Sequence, residues 1–108
     1  TTYSAKVGLM YASDYGFAAA PSAWTANLNT YNGEAIKNVN WMYMGLYEWT
    51  ISRHAGNAFN AFYVTNSGDV SGSDVGGNAF AVRPVFYLTS SVNYVSGSGT
   101  ATDPIVIN

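Results

Sequence analysis

No cysteine occurs in this sequence, so neither a disulfide nor a thiolate zinc site is available to hold the fold, and the core must do so alone. Charge is also scarce. Charged residues make up 9% of the chain, against about 25% in an average domain, and the only cations are Lys6, Lys37, Arg53 and Arg83. With a net charge of −2 there is no basic patch to neutralise phosphates or anionic lipid, which argues against nucleic acid as a partner. No window approaches the roughly 18 consecutive apolar residues of a membrane span, so no membrane insertion by this domain is expected. Thr1 to Met10 lacks the regions of a signal peptide, and the chain reads as a domain excised from a longer protein.

A more selective absence marks the stretch from His54 to Phe80, HAGNAFNAFYVTNSGDVSGSDVGGNAF, which contains no Lys, Glu, Gln, Met, Trp or Pro. The residues before it hold all three Trp, all three Met and both Glu. Apart from Pro, the missing types share one property of the genetic code: none has a codon ending in C. Adenine-directed randomisation of AAC codons would leave that pattern. Turn-rich segments also select Gly, Ser and Asn for backbone reasons, and residues 81–108 likewise lack Lys, Glu, Gln, Met and Trp. A stretch built to vary and an ordinary loop-and-strand region are therefore both compatible with the residues.

What is present is aromatic and uncharged-polar: aromatics are 16% of the chain. Solubility has to come from Asn, Ser, Thr and Gly, a surface that makes hydrogen bonds and stacking contacts instead of ion pairs. Residues 1–108 have the length of one domain. Residues 5–10, AKVGLM, suit a short strand, and Ser13-Asp14 predicts a capped helix over 14–20 that stops before Pro21. Residues 21–40 carry Pro, Gly and five Asn and read as an irregular connection, with a helical turn at Trp24 to Leu28 pinned by those two residues. The segment 40–53, NWMYMGLYEWTISR, predicts two short strands around Gly45. Asn60 to Thr65 and Val70 to Val75 predict a hairpin through Asn66-Ser67-Gly68-Asp69. Ala79 to Leu88 is the longest strand candidate, with an edge, bulge or break at Pro84, and Val92 to Val95 and Ile105 to Ile107 follow, joined by a polar loop. The expected core is Val7, Leu9, Trp41, Met44, Trp49, Ile51, Val82, Val85 and Phe86, with Phe62 and Val64 inward. Arg83, inside VRPVF, is expected to meet Asp14, Glu48 or backbone carbonyls, because a buried cation needs a partner.

KVGLMYASDYGFA, WMYMGLYEWTISR, AFYV, SGDV, AVRPVFYL and GSGTATDPIVI together resemble a bacterial family of secreted, often repeated domains of uncharacterised function, over most of the chain. That family is similar to the C-type-lectin-like and formylglycine-generating-enzyme-like fold, several bacterial and phage members of which carry regions diversified by retroelements. The resemblance implies an α+β domain with a short N-terminal helix, a twisted, mainly antiparallel sheet, and N- and C-terminal strands lying close together. It also implies an extracellular, cell-surface or phage-particle location.

Catalysis has little support in the residues. His54 is the only histidine, no nucleophile-elbow sequence accompanies it, and Glu34 and Glu48 show no acid–base spacing. The cysteine chemistry of formylglycine-generating enzymes has no counterpart here. Asp69 and Asp74 stand in Gly/Ser sequence without the oxygen cluster that calcium needs, so neither metal nor cofactor is implied. The expectation is a non-catalytic, adhesin-like display domain for a protein or glycan on another surface. Its candidate ligand residues are His54, Asn57, Phe59, Asn60, Tyr63, Asp69, Ser71, Ser73, Asp74, Asn78 and Phe80, types that give broad contact and adaptable hydrogen bonding. The alternative is a structural repeat module of a bacterial surface or pilin-like protein with no dedicated ligand.

Overall fold

The polypeptide near the N-terminus is organised by one buried ring. Tyr15 is fully buried and its hydroxyl donates to the carbonyl of Gly68, 2.8 Å away, tying the first helix to the central hairpin. Burial pushes this phenol well above its ordinary pKa. The computed structural model describes residues 4–31, 36 and 38–108, which form a small α+β domain with a short helix near the N-terminus and antiparallel sheets. The elements are β1 (Gly8–Leu9), α1 (Ala12–Phe17), β2 (Glu48–Arg53), β3 (Asn60–Val64), β4 (Val70–Asp74), β5 (Pro84–Val85), β6 (Tyr94–Ser96) and β7 (Val106–Ile107), with 3₁₀ turns at Pro21–Ala23 and Leu28–Thr30. Three sheets result, ordered β1-β5, β2-β3-β4 and β6-β7.

The helix begins earlier than Ser13 predicts. Asp14 reaches back to accept the Tyr11 amide at 2.8 Å, and Ser52 Oγ accepts the Ala12 amide at 2.9 Å, so two first-turn donors are satisfied without a serine cap. It also ends earlier. Beyond Phe17 the chain pairs with residues 39–41 through the Ala19–Asn40 bridge and the Ala20 amide on the Val39 carbonyl. Trp24 and Leu28 do fasten the irregular stretch: the indole donates to the Ala19 carbonyl at 2.9 Å, and Leu28 lies so near Gly16 that a Cβ there would meet it at 2.8 Å. The helical turns flank residues 24–27 instead of spanning them. The rest of the predicted irregular segment, residues 32–35 and 37 with Glu34 among them, lies outside the described residues.

The central hairpin follows its sequence pattern. β3 and β4 pair without a slip from Asn60↔Asp74 to Val64↔Val70, and Gly68 supplies the left-handed φ of 99° that closes the turn. Val64 and Val70 are buried, with Phe62 half-buried on the same side. Of the two strands predicted in 40–53, only β2 forms, because Gly45 at φ 69° turns the chain before it. The long strand predicted over 79–88 breaks as Pro84 requires: Ala81 makes a parallel bridge to Glu48, and two residues at β5 pair with β1.

Arg83 is held as its neighbours demand. Its Nε and Nη2 donate to the two oxygens of Glu48 at 2.6 and 2.5 Å, and Nη2 also donates to the Met42 carbonyl at 2.7 Å. Glu48 is only 3% exposed. This hydrogen-bonded carboxylate raises the guanidinium pKa further.

Two expectations need correction. The core consists of Met10, Tyr15, Ala18, Ala19, Tyr31, Ile36, Met42, Val64 and Val70. Leu9, Trp49 and Val85 are half-buried, and Val7, Trp41, Met44, Ile51, Val82 and Phe86 are exposed. Strands β1 and β5 are two residues each and shelter little, and the inward position on β2 belongs to Glu48, whose partner is Arg83. The terminal strands are also not neighbours. β1 pairs with β5, while β7 pairs with β6 in a local hairpin closed by Gly97 and Gly99 at φ 98° and 83°.

Candidate functional site

Strand alternation divides the three-stranded sheet into two unlike faces. Glu48↔Val64 and Val64↔Val70 point to the core, so Trp49↔Tyr63 and Tyr63↔Ser71 point the other way. Outside β2, the Trp49 amide donates to the Ala81 carbonyl at 3.0 Å and the Ala81 amide to the Tyr47 carbonyl at 2.8 Å. That pairing brings Phe80 onto the outer face. Its ring lies 4.7 Å from Trp49, 4.7 Å from Tyr63 and 5.2 Å from Tyr47, the last stacked at 24°. Trp49 meets Tyr63 edge-on at 5.8 Å. The result is a cluster of four aromatic side chains, Tyr47 exposed and the other three half-buried.

A polar rim adjoins it. Ser71 stands opposite Tyr63 and Ser73 opposite Ala61, and Asn78 donates to Ser73 Oγ at 2.9 Å and to the Asp74 carbonyl at 3.3 Å. Arg53, paired with Ala61 across a register shift in β2, sets one cation at the far end. Five of the eleven sequence candidates, Tyr63, Ser71, Ser73, Asn78 and Phe80, therefore meet on one surface.

The other six do not join them. His54 packs against Phe62 at 5.1 Å with the rings tilted by 39°, on the opposite side of the sheet, and lies so close to Gly72 that a Cβ there would meet its ring at 2.8 Å. Its Nδ1 accepts the Gly56 amide. Asn60 and Asp74 face each other on that same side, and Asp74 also accepts the Gly76 amide at 2.7 Å. Asn57 caps its own turn by accepting the Phe59 amide at 2.9 Å, leaving Phe59 74% exposed at the loop tip. Asp69 is occupied at the opposite end of the hairpin, accepting hydroxyls from Thr65 at 2.6 Å and Ser67 at 2.7 Å. The five-residue length of β3 separates those two ends by roughly 16 Å, so one small ligand cannot touch both.

Sequence reasoning missed Tyr47 and Trp49. The signal was there: they flank Glu48, and once Arg83 claims Glu48 for the interior, both neighbours must face out. Trp49 had been expected in the core. Chemically, the face offers apolar ring surface, hydroxyls and an amide, which suits stacking and hydrogen bonding. Among the described residues no group of three or more His, Asp or Glu could hold a metal ion, and no helix is long and apolar enough to cross a membrane. No family model, curated protein or solved structure matches the chain at significant similarity.

Proposed function

We propose that this chain is a non-catalytic, adhesin-like ligand-binding domain whose recognition surface is the outer face of β2-β3-β4. The observation that carries the reading is the cluster of Tyr47, Trp49, Tyr63 and Phe80 at the surface, in which Tyr47 and Trp49 each pack against Tyr63 and Phe80 with ring separations of 4.7–6.1 Å, with Ser71, Ser73 and Asn78 beside them. Preformed aromatic side chains lose little entropy on binding, and such residues dominate measured interfaces. The partner in this reading is a protein or glycan on another surface, and the domain belongs to a longer extracellular, cell-surface or phage-particle protein. A C-type-lectin-like fold, supported by the short helix preceding antiparallel strands, fits a domain that presents variable side chains on one sheet face. If the stretch 54–80 is diversified, substitutions among copies in one genome should fall on Tyr63, Ser71, Ser73, Asn78 and Phe80 and spare Val64, Gly68 and Val70.

The test is an array of glycans and bacterial surface proteins probed with the parent domain and with the Tyr47→Ser/Tyr63→Ser variant. Binding should fall at least about 30-fold, since each of the two rings carries interface energy of about 1–2 kcal/mol or more, and should persist at about 1 M salt, where the Debye length is about 3 Å. A folded variant that binds like the parent rejects this face. A domain that binds nothing on the array, while the variant merely loses stability, favours the structural repeat module.

A further inference from the structure

The last third of the chain ends in a hairpin. Among the described elements, β6 and β7 pair with each other and make no more than marginal contact with any other. Yet the hairpin is well closed. Asn93 and Asn108 exchange amide–carbonyl bonds at 3.2 Å, the Ser98, Gly99 and Thr100 amides converge on the Asp103 carbonyl, and Asp103 Oδ2 accepts the Ser98 amide at 2.8 Å. An isolated two-stranded hairpin is marginal in water, and this one leaves Tyr94, Val95, Ile105, Val106 and Ile107 between 44% and 66% exposed. It therefore has a finished backbone and an unfinished apolar surface. The radius of gyration, 15.3 Å, exceeds the roughly 13 Å of a compact chain this long.

The body carries a matching deficit. A groove of about 350 Å³ lies between α1 and the segment after β5, lined by Met10, Phe17, Trp41, Val85, Phe86 and Tyr87. Trp41 is 80% exposed, and Phe17, Phe86 and Tyr87 are each about two-thirds exposed. The main-chain groups of Phe86, Tyr87 and Leu88 make no hydrogen bond among the described residues, so the rim is also an open backbone edge. The one charge at the groove, Asp14, is already engaged by the Tyr11 amide and by the Tyr87 hydroxyl at 2.5 Å.

We propose that the β6–β7 hairpin of one copy docks into the groove beside α1 of a second copy, linking chains head to tail. The inference does not depend on the recognition face, which lies on a different surface. Area supports it. The exposed apolar side chains offer roughly 500–600 Å² on the hairpin and about as much on the groove, whereas a standard interface buries about 800 Å² per partner, a little over half of it apolar. Charge supports a protein partner over a bilayer. Residues 84–108 contain no Lys or Arg and a single acid, Asp103, while surfaces that lie on membranes usually carry cations beside their apolar side chains. Because hairpin and groove are different patches, the contact is heterologous and propagates into open chains unless the rotation between copies closes a ring.

Sedimentation velocity of the 108-residue chain, from about 1 μM to about 1 mM, with two variants, tests this. A hairpin variant, Ile105→Asp/Ile107→Asp, and a groove variant, Trp41→Asp/Phe86→Asp, alter exposed side chains, and circular dichroism verifies that each folds; Ser replaces Asp at any position where it does not. The parent should form concentration-dependent oligomers, and each variant alone should be monomeric. An equimolar mixture should give a dimer and nothing larger, since one intact hairpin and one intact groove remain. A parent that stays monomeric throughout, variants that associate as the parent does, or a mixture that stays monomeric would each overturn the proposal. So would a monomeric parent that binds phosphatidylcholine vesicles through Ile105 and Ile107, which would assign the hairpin to lipid.

Discussion

Replacing Arg83 by Ala leaves the Glu48 carboxylate, 3% exposed, without either of its donors and the Met42 carbonyl without its own. Removing one member of a buried pair costs about 3–5 kcal/mol, because the orphaned charge keeps its desolvation penalty and loses its compensation. The guanidinium here is itself 24% exposed, so water can enter the space it vacates and solvate Glu48 in part; the expected loss is about 2–4 kcal/mol. For a domain of this size each 1 kcal/mol moves Tm by roughly 4–8 °C, which puts the shift at roughly 8–32 °C. Arg83→Lys keeps the charge but cannot span both oxygens, and should lose less. The double variant Arg83→Met/Glu48→Leu should recover much of the loss, since apolar groups of similar volume need no partner. Thermal and urea melts of the parent, Arg83→Met, Glu48→Leu and the double variant, analysed as a double-mutant cycle, measure the coupling. A Tm within about 2 °C of the parent for Arg83→Ala, or a double variant no better than the sum of the singles, would refute the reasoning.

Tyr15→Phe removes a fully buried hydroxyl from the Gly68 carbonyl and should cost about 1–2 kcal/mol in a urea melt. Met10→Ala, at 1% exposure, should cost about 2–5 kcal/mol, whereas Trp41→Ala, 80% exposed, should stay within about 0.5 kcal/mol at low protein concentration. Tyr87 donates to Asp14, and this bond pushes its pKa up to about 12 from 10.0. A raised folded-state value means that its contribution is present below pH 10 and is lost between pH 10 and 12. An ultraviolet phenolate titration should show one late-ionising exposed tyrosine that disappears in Tyr87→Phe. At Gly97 a Cβ would sit 1.9 Å from the Pro104 carbonyl oxygen, so Gly97→Ala should abolish the NMR signature of the β6–β7 hairpin while the melt of the body is unchanged.

Much of the local structure was already legible in the sequence, because short-range chemistry governs it. The hairpin of 60–75 follows from its alternating pattern and from a glycine where the turn needs a left-handed residue, and the break near Pro84 follows from a missing amide. The pairing of Arg83 follows from the cost of a buried unpaired cation, though that cost alone did not choose Glu48 over Asp14. The inward facing of Phe62 and Val64 also followed from the alternating pattern. Tertiary structure decided the rest, for identifiable reasons. Facing is relative: Trp49 looks like core until Glu48 takes the inward position to reach Arg83, and this one choice turns Tyr47 and Trp49 outward. Burial is a property of neighbours. Val7, Ile51 and Phe86 are as apolar as Met10 and Val64, but the strands beside them are too short to cover them. Proximity is equally non-local. Phe80 joins Tyr63 only because Ala81 bridges to Glu48, and Asp69 leaves the candidate surface because Thr65 and Ser67 claim its carboxylate at the other end of the same hairpin.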